Sequence, residues 1–573
     1  MPPSIGAGDR SADPVRLGVR LLALLLLAAL APRVTGILWG GVHPDENIGM
    51  SAKVLTGQLI PDFHYYPPFL NYLCAAAFAG LYAAGRLLGF WWSAAEFREL
   101  YFVDQRPFLF AARAVTVLVG ALAAPIAALV VAQLGVRRWG CVVIGLLVAV
   151  VPVHVQYSHF SKADADLATA VLAVAWAALR CTDRAPTLGA LALLAVTIGL
   201  AGSFKHSAIL FVGPLMLGVG FHWAVREGAG YRTAAIRLAG IGVASLGLWC
   251  VLNVGAVLDL SEFIRYQRVQ ALMSVKEWSP TDSVLGTGGV LVGFWTGPGV
   301  LMVVAWAAMP FVLKGFAARL LWGASLAGLV AVGALVGRRA PEYLFLPSTL
   351  LVVTLGGAAL VSLASRPRAE ARWGGRLALA TAFLLGALGT ARLALEAVAP
   401  TQTGQVATLI RSIGAPGEVR ILAHETALLG VPVSEEAMRD QMARHVRLAE
   451  RYSVTLPAQA ERPGPEPAGA YYALPIPYAI GGLEEYDESQ VDTIVPFAWP
   501  LQPEEFDLDR WIAAGFNVFV VAHEDSMLRS PVGVYREFFA SIRERCDLVG
   551  VVPAGKPRFL ESELKVYRVR RAQ

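Results

Sequence analysis

The sequence predicts an α-helical polytopic membrane protein, with about eleven transmembrane helices plus juxtamembrane helices and a small C-terminal α/β soluble domain. Three observations predict it. Hydrophobic residues make up 56% of the 573-residue chain and charged residues only 16%, against roughly 45–50% and 25% in soluble proteins. Apolar runs of spanning length recur up to Pro400. Beyond that point charge returns: residues 401–573 hold 18 of the 48 Lys+Arg and 24 of the 43 Asp+Glu, leaving 30 and 19 for the body. The body is thus net +11 and the tail net −6, so the overall +5 carries no signal of nucleic acid. No basic tract with interleaved aromatics is present, and nucleic acid is excluded as a partner.

Apolar runs lie near 18–38, 108–134, 140–157, 165–180, 187–203, 206–224, 234–257, 288–313, 317–337, 341–364 and 375–397, each close to or above the roughly 20 residues a bilayer core requires. A twelfth run, 67–90, is assigned by charge. If it lies at the surface, Arg16, Arg20, Arg137, Arg138, Arg180, Arg226, Arg232, Lys314, Arg319, Arg366 and Arg368 all fall in short cytoplasmic segments, whereas a span there exports most of them. The run is therefore read as helix in or on the outer face, with Trp91 and Trp92 as interfacial anchors. A basic stretch before Leu21–Leu27 also fits a cleaved signal peptide, but removing that helix would upset this orientation.

The organisation that results is a cytoplasmic N-terminus (1–17), a transmembrane region (18–399) whose first outer loop is 39–107, and an extracytoplasmic soluble part (400–573). The protein is expected in the cell membrane, multi-pass. In the tail, Val419–Ala423, Val518–Ala522 and Lys565–Val569 read as strands, 508–514 as helix and Pro457–Ala468 as a loop. The five cysteines show neither CxxC nor metal-ligand spacing and read as buried thiols.

Charge near a membrane is costly, so the ionisable residues on the outer side are the candidates for chemistry. His43-Pro44-Asp45-Glu46 follows the first helix; its carboxylates suit proton abstraction, or alternatively a helix N-terminus. His154 to Asp166 places two His, one Lys and two Asp in a single connection, which otherwise reads as a solvated loop with a capping Asp. Lys205, with Arg338 and Arg339, supplies cations that can hold a phosphate or merely snorkel to headgroups.

Taken in order, His43-Pro44-Asp45-Glu46, then Tyr65-Tyr66-Pro67-Pro68-Phe69-Leu70-Asn71-Tyr72, Ser158-His159-Phe160-Ser161-Lys162-Ala163-Asp164 and Phe204-Lys205-His206 resemble the GT-C glycosyltransferases that use polyprenyl-phosphate sugars. The likeness is greatest to the protein mannosyltransferase and aminoarabinose transferase group. It implies Asp45 as general base, with Glu46 beside it and Asp164 as the second-loop acid. It also implies substrate contacts from His43, His64, Tyr66, His159, Lys162 and Lys205. The partners implied are a polyprenyl-phosphate-linked sugar donor, an acceptor that is a glycolipid, protein or polysaccharide, and the lipid bilayer. Where that family has Arg-Tyr, this chain has Glu342-Tyr343, so either Arg338 or Arg339 supplies the cation that the resemblance implies, or the phosphate is held differently.

Trp91-Trp92-Ser93 resembles the Trp-Trp-Asp of oligosaccharyltransferases but lacks the Asp and lies in the first loop. His43, His64, His154 and His159 leave a divalent cation open as a cofactor, although no pair has firm ligand spacing and no metal ligand is assigned. The reaction expected is inverting sugar transfer on the outer face. Two rivals are a polytopic lipid or sugar transporter or flippase, which would carry its charges near the midplane in related halves, and an assembly subunit with decayed motifs.

Overall fold

The computed structural model describes residues 15–37, 43, 45–46, 48–182, 186–276, 298–336, 342–398, 401–424, 429–456, 468–476, 499–530, 532–553 and 563–570. Arg338 and Arg339 lie outside the described residues, as does nearly all of 457–468.

Helix α1 (Val19–Ile37) opens the bundle. The first long connection follows it, with α2 (Ile48–Val54), α3 (Phe69–Leu88) and α4 (Ala94–Val103). The bundle resumes with α5 (Arg106–Ala121), α6 (Ala123–Gln133), α7 (Arg138–Ala149), α8 (Pro152–Ser158), α9 (Ala163–Arg180), α10 (Leu188–Phe204), α11 (Ile209–Phe221) and α12 (Gly230–Leu252). Short α13 (Val254–Leu258) and polar α14 (Leu260–Lys276) come next, then α15 (Pro298–Val312), α16 (Phe316–Val336), α17 (Leu346–Ala364) and α18 (Ala369–Ala397).

Among the described residues seven helical stretches are long and apolar enough to cross a membrane, or eight if the pair α7 and α8, bent by 57°, is one span. That is fewer than the eleven expected, and the reasons are physical. Helix α9 has the length but carries Asp164, Asp166 and Arg180; α10 is 17 residues long; α15 is 15, and its expected start near 288 lies outside the described residues. All eleven apolar runs contain helix. Helices α9 and α17 are buried along nearly their whole length and form the centre of the bundle.

The 67–90 run is not among the spans. It forms α3, whose buried residues Phe69, Leu70, Cys74 and Phe78 mark one face, with Leu87 and Leu88 exposed at its end. Gly89 closes it in the left-handed region at φ 77°. Ser93 then caps α4 by accepting the Glu96 N–H, while Glu96 accepts the Trp92 N–H, the reciprocal Ser-x-x-Glu pattern of a helix start. Trp92 is exposed and Trp91 half-buried. The Trp91 indole donates to Tyr82 O at 2.9 Å and lies so close over Gly85 that a Cβ there would overlap the ring.

The C-terminal part carries a five-stranded sheet of β1 (Arg420–Ala423), β2 (Tyr472–Pro475), β3 (Val518–Ala522), β4 (Cys546–Val552) and β5 (Leu564–Val569), in the order β2-β1-β3-β5-β4. β1 runs parallel to β2 and β3, and β5 antiparallel to β3 and β4. β3, Val-Phe-Val-Val-Ala, is buried on both faces, which explains its unbroken apolar run. The three strands and the 508–514 helix expected from the sequence are all present. The sheet is not isolated from the bundle: Tyr266 and Val269 of α14 enter the same apolar cluster as Leu422, Ile476, Phe506 and Phe538.

Candidate functional site

The site forms where one end of α1, α8, α9, α10, α12 and α17 meets the connection between α1 and α5. Each polar side chain there is placed by an identifiable piece of backbone. Helix α9 begins at Ala163 with Lys162 as its N-cap in an extended conformation, and α10 ends at Lys205, also extended, so two lysines leave two helix ends beside one another. Asn253, at the end of α12, accepts the Phe69 N–H at 3.1 Å and donates to Ser203 Oγ at 2.9 Å. The same anchor brings Phe69 against Phe204 and the preceding Tyr66 ring beneath Lys205.

The result is a connected set of charges. Lys162 Nζ lies 2.6 Å from Asp45 Oδ2 and 3.4 Å from Asp164 Oδ2, and Lys205 Nζ donates to Asp164 Oδ1 at 2.7 Å. Aromatic faces close it: Lys162 Nζ stands 3.6 Å from the Tyr343 ring centroid, and Lys205 Nζ stands 4.8 Å from Tyr343 and 5.0 Å from Tyr66. Within this set exposure separates the carboxylates. The Asp45 side chain is 37% exposed, that of Asp164 only 2%.

Electrostatics follow from that placement. Partial burial pushes the Asp45 carboxyl up, but the Lys162 and His43 beside it prevail, and it sits below the usual carboxylate range. Burial pulls the Lys162 ammonium down, yet Asp164 and Asp45 more than offset it, so it stays charged at a raised value. His43 is held below its ordinary value by burial and by Lys162; its Nδ1 accepts the Asp45 N–H at 3.0 Å, which puts the neutral ring's proton on Nε2. Burial holds the Tyr66 hydroxyl well above its ordinary range, so it stays protonated.

Three residues expected at the site do something else. Glu46, expected as the catalytic neighbour of Asp45, is fully buried and fully engaged: Arg113 grips it with Nε at 2.8 Å and Nη2 at 2.7 Å, and the Ser161 and His43 N–H groups also donate to it. Its chemistry is that of a clamp joining the first connection, α5 and the start of α9. His159 turns away from the charges and bonds Pro32 O on α1 at 3.3 Å; Gly36 leaves the room it occupies, since a Cβ there would lie 1.8 Å from the ring. His64 is buried and bonds Asp259 Oδ2 at 2.9 Å, while Gln267 of α14 holds the His64 carbonyl at 2.8 Å.

The sequence reading also missed Arg113, Asp259 and Tyr343 as site-forming residues. Arg113 sits inside an apolar run, where an ionisable residue is itself a signal of a partner. Tyr343 follows Glu342 where the resemblance has Arg-Tyr, and it offers the lysines a ring face. A divalent ion does not fit the four histidines raised for it, because His43, His64, His154 and His159 bond different partners in different places. Among the described residues no group of three or more His, Cys, Asp or Glu is placed to hold a metal.

Residues 20–251 match the family model described as dolichyl-phosphate-mannose-protein mannosyltransferase. No curated protein matches the chain. Among solved structures, ArnT from Cupriavidus metallidurans bound to undecaprenyl phosphate is 14% identical, with 96% of this chain and 97% of that one covered at a TM-score of 0.50. The Archaeoglobus fulgidus oligosaccharyltransferase in complex with zinc and sulfate is 13% identical over 70% of this chain and 60% of its own, at a TM-score of 0.45. The Saccharomyces cerevisiae protein O-mannosyltransferase Pmt1–Pmt2 complex bound to the sugar donor is 16% identical over 44% and 34%, at 0.30. The chain is thus similar to that mannosyltransferase family over residues 20–251 and shares the fold of ArnT along nearly its whole length. The matched segment contains His43–Glu46, Tyr65–Tyr72, Ser158–Asp164 and Phe204–His206, the motifs on which the resemblance rests.

Proposed function

We propose that this protein transfers a sugar from a polyprenyl-phosphate carrier to an acceptor hydroxyl on the outer face of the membrane, inverting the anomeric carbon. One observation carries the reading: a solvent-reaching carboxylate, Asp45, is joined through Lys162 to a buried carboxylate that also holds Lys205. That arrangement puts a base and two cations within one small space. The undecaprenyl phosphate bound to ArnT, whose fold this chain shares, supports a polyprenyl-phosphate carrier.

In the reaction, Asp45 accepts the acceptor's hydroxyl proton as its oxygen bonds the anomeric carbon. The bond from that carbon to the phosphate oxygen breaks, and its electron pair leaves with the polyprenyl phosphate. Lys205 and Lys162 offset the charge that grows there, in a site screened by Tyr66 and Tyr343. Lys162 trades its contact with Asp45 for the phosphate as the base takes up its proton. Asp164 orients both ammonium groups. The amino terminus lies in the cytoplasm and the C-terminal sheet outside, where α14 holds it beside the site for selection of the acceptor.

The test uses the purified full-length protein in liposomes with a labelled polyprenyl-phosphate sugar and an extract of cell-envelope acceptors. The reading expects label to leave the carrier for an acceptor, with free polyprenyl phosphate produced in equal amount. Movement of intact carrier across the bilayer without cleavage would replace it with a flippase.

A further inference from the structure

A wholly buried arginine stands apart from the charges described above. Arg33 lies in α1, packed against the break between α7 and α8. Its Nη1 donates to Ala149 O at 3.0 Å and to Ala29 O at 2.7 Å, its Nε to Ser158 Oγ at 3.3 Å, and its Nη2 to His154 Nδ1 at 2.8 Å. Among the described residues no carboxylate pairs with it. Ala149 is the last residue of α7, so its carbonyl belongs to the negative end of that helix, which suits a cation. Thr390 of α18 caps the next carbonyl, that of Val150, at 3.1 Å. The bend is thus held from two sides.

The contact with His154 reaches further. A guanidinium only donates, so His154 Nδ1 must accept, and the ring's proton is fixed on Nε2. That proton is directed at Ala165 O, 3.2 Å away, in the first turn of α9 between Asp164 and Asp166. Thr169 donates to the same carbonyl at 3.0 Å. On α5, Gly120 leaves the space for the cluster, since a Cβ there would lie 2.4 Å from Ser158 Oγ. A chain of directed bonds therefore runs from α1 through α8 to the turn that presents Lys162 and Asp164. Burying a cation with no counter-carboxylate is expensive, and an apolar side chain would fill α1 at lower cost.

We propose that Arg33 is a positioning residue for the sugar transfer: through His154 it sets the first turn of α9, and with it the placement of Asp164 and Lys162 against Asp45. The inference rests on the reaction proposed above. Arg33 touches none of those three residues, and its effect on rate passes entirely through geometry. Displacement of a catalytic group by about 1 Å can cost on the order of 10²-fold in rate.

The test compares Arg33→Met, Arg33→Lys, His154→Gln and His154→Leu with the wild type, using the purified full-length protein and a labelled polyprenyl-phosphate sugar. Arg33→Met should lower kcat by about 10²-fold and leave the donor KM within about twofold. Arg33→Lys keeps the charge but not the fork, and should lose a similar factor even where Arg33→Met fails to fold. His154→Gln can accept from Arg33 with its oxygen and donate to Ala165 O with its nitrogen, so it should keep most activity where His154→Leu does not. Amide hydrogen exchange should quicken at residues 159–165 in Arg33→Met and Arg33→Lys and stay unchanged in the C-terminal sheet. Wild-type kcat in Arg33→Lys, a change in KM alone, or unchanged exchange at 159–165 overturns the proposal. If the wild type itself transfers no sugar, the reaction reading falls, and the exchange measurement still decides whether Arg33 holds that turn.

Discussion

The ammonium of Lys162, almost wholly buried, stands 2.6 Å from Asp45 Oδ2, which reaches solvent. This contact keeps the carboxylate ionised although it is partly removed from water. In Lys162→Gln the burial that pushes Asp45 up is no longer opposed by its largest counterweight. The wild-type kcat/KM should show no acidic limb between about pH 5 and pH 8, whereas a limb should enter that window in the variant. The sign for stability is the same. A carboxyl held below its ordinary value contributes stability above about pH 4 that is lost as pH falls through the folded-state value.

Glu46 and Arg113 form a buried, two-pronged ion pair. Removing one member strands the other without water, so Glu46→Ala or Arg113→Met should destabilise the protein by about 3–5 kcal/mol. Thermal unfolding in detergent measures this as a lower Tm for either single variant. The outcome expected of a clamp is loss of folded protein; a stable Glu46→Ala with only kcat reduced returns Glu46 to the chemistry.

Lys205 meets Asp164 at 2.7 Å under two aromatic faces. In its proposed role it binds the donor phosphate by a charge-assisted hydrogen bond of about 1.5–3 kcal/mol. Lys205→Met should therefore raise the donor KM roughly tenfold to a hundredfold, as read from initial rates at varied donor. The acceptor KM should not follow it.

Tyr266 connects α14 to the C-terminal sheet, and its ring meets Tyr65 edge-on at 5.1 Å between centroids. Tyr266→Ala should loosen the sheet's seat, costing about 3–5 kcal/mol of local packing at most. Limited proteolysis should then cut the variant faster than the wild type near residues 398–401. Acceptor KM should rise while hydrolysis of the donor in the absence of acceptor stays as before.

Much of this was legible in the sequence, and the exceptions share a cause. Length and hydropathy located every long apolar helix among the described residues because a bilayer demands them, whereas polar α14 gave no such signal, and the central strand announced itself as Val-Phe-Val-Val-Ala. Asp45, Lys162, Asp164 and Lys205, which the fold brings together, stood out because charge in so apolar a chain is scarce. The pairing of Glu46 was not legible because its partner Arg113 lies far along the chain in an apolar run, and only folding shows the two together. The seat of His159 was not legible because a His in a polar loop gives no sign of facing a glycine on another helix. Arg33 left a readable signal, a cation within the first apolar run, that proximity to the helix end concealed. The bend at Val150–Val151 was announced by Pro152.

The central claim is that Asp45 removes the acceptor's proton, and its most direct measurement is kcat of Asp45→Asn in the purified full-length protein with a labelled polyprenyl-phosphate sugar. The amide keeps the shape and cannot act as the base. The account predicts a fall in kcat of about 10²–10⁴-fold, with the donor KM little changed and the protein folded to the same Tm. Transfer by Asp45→Asn at the wild-type rate would contradict it.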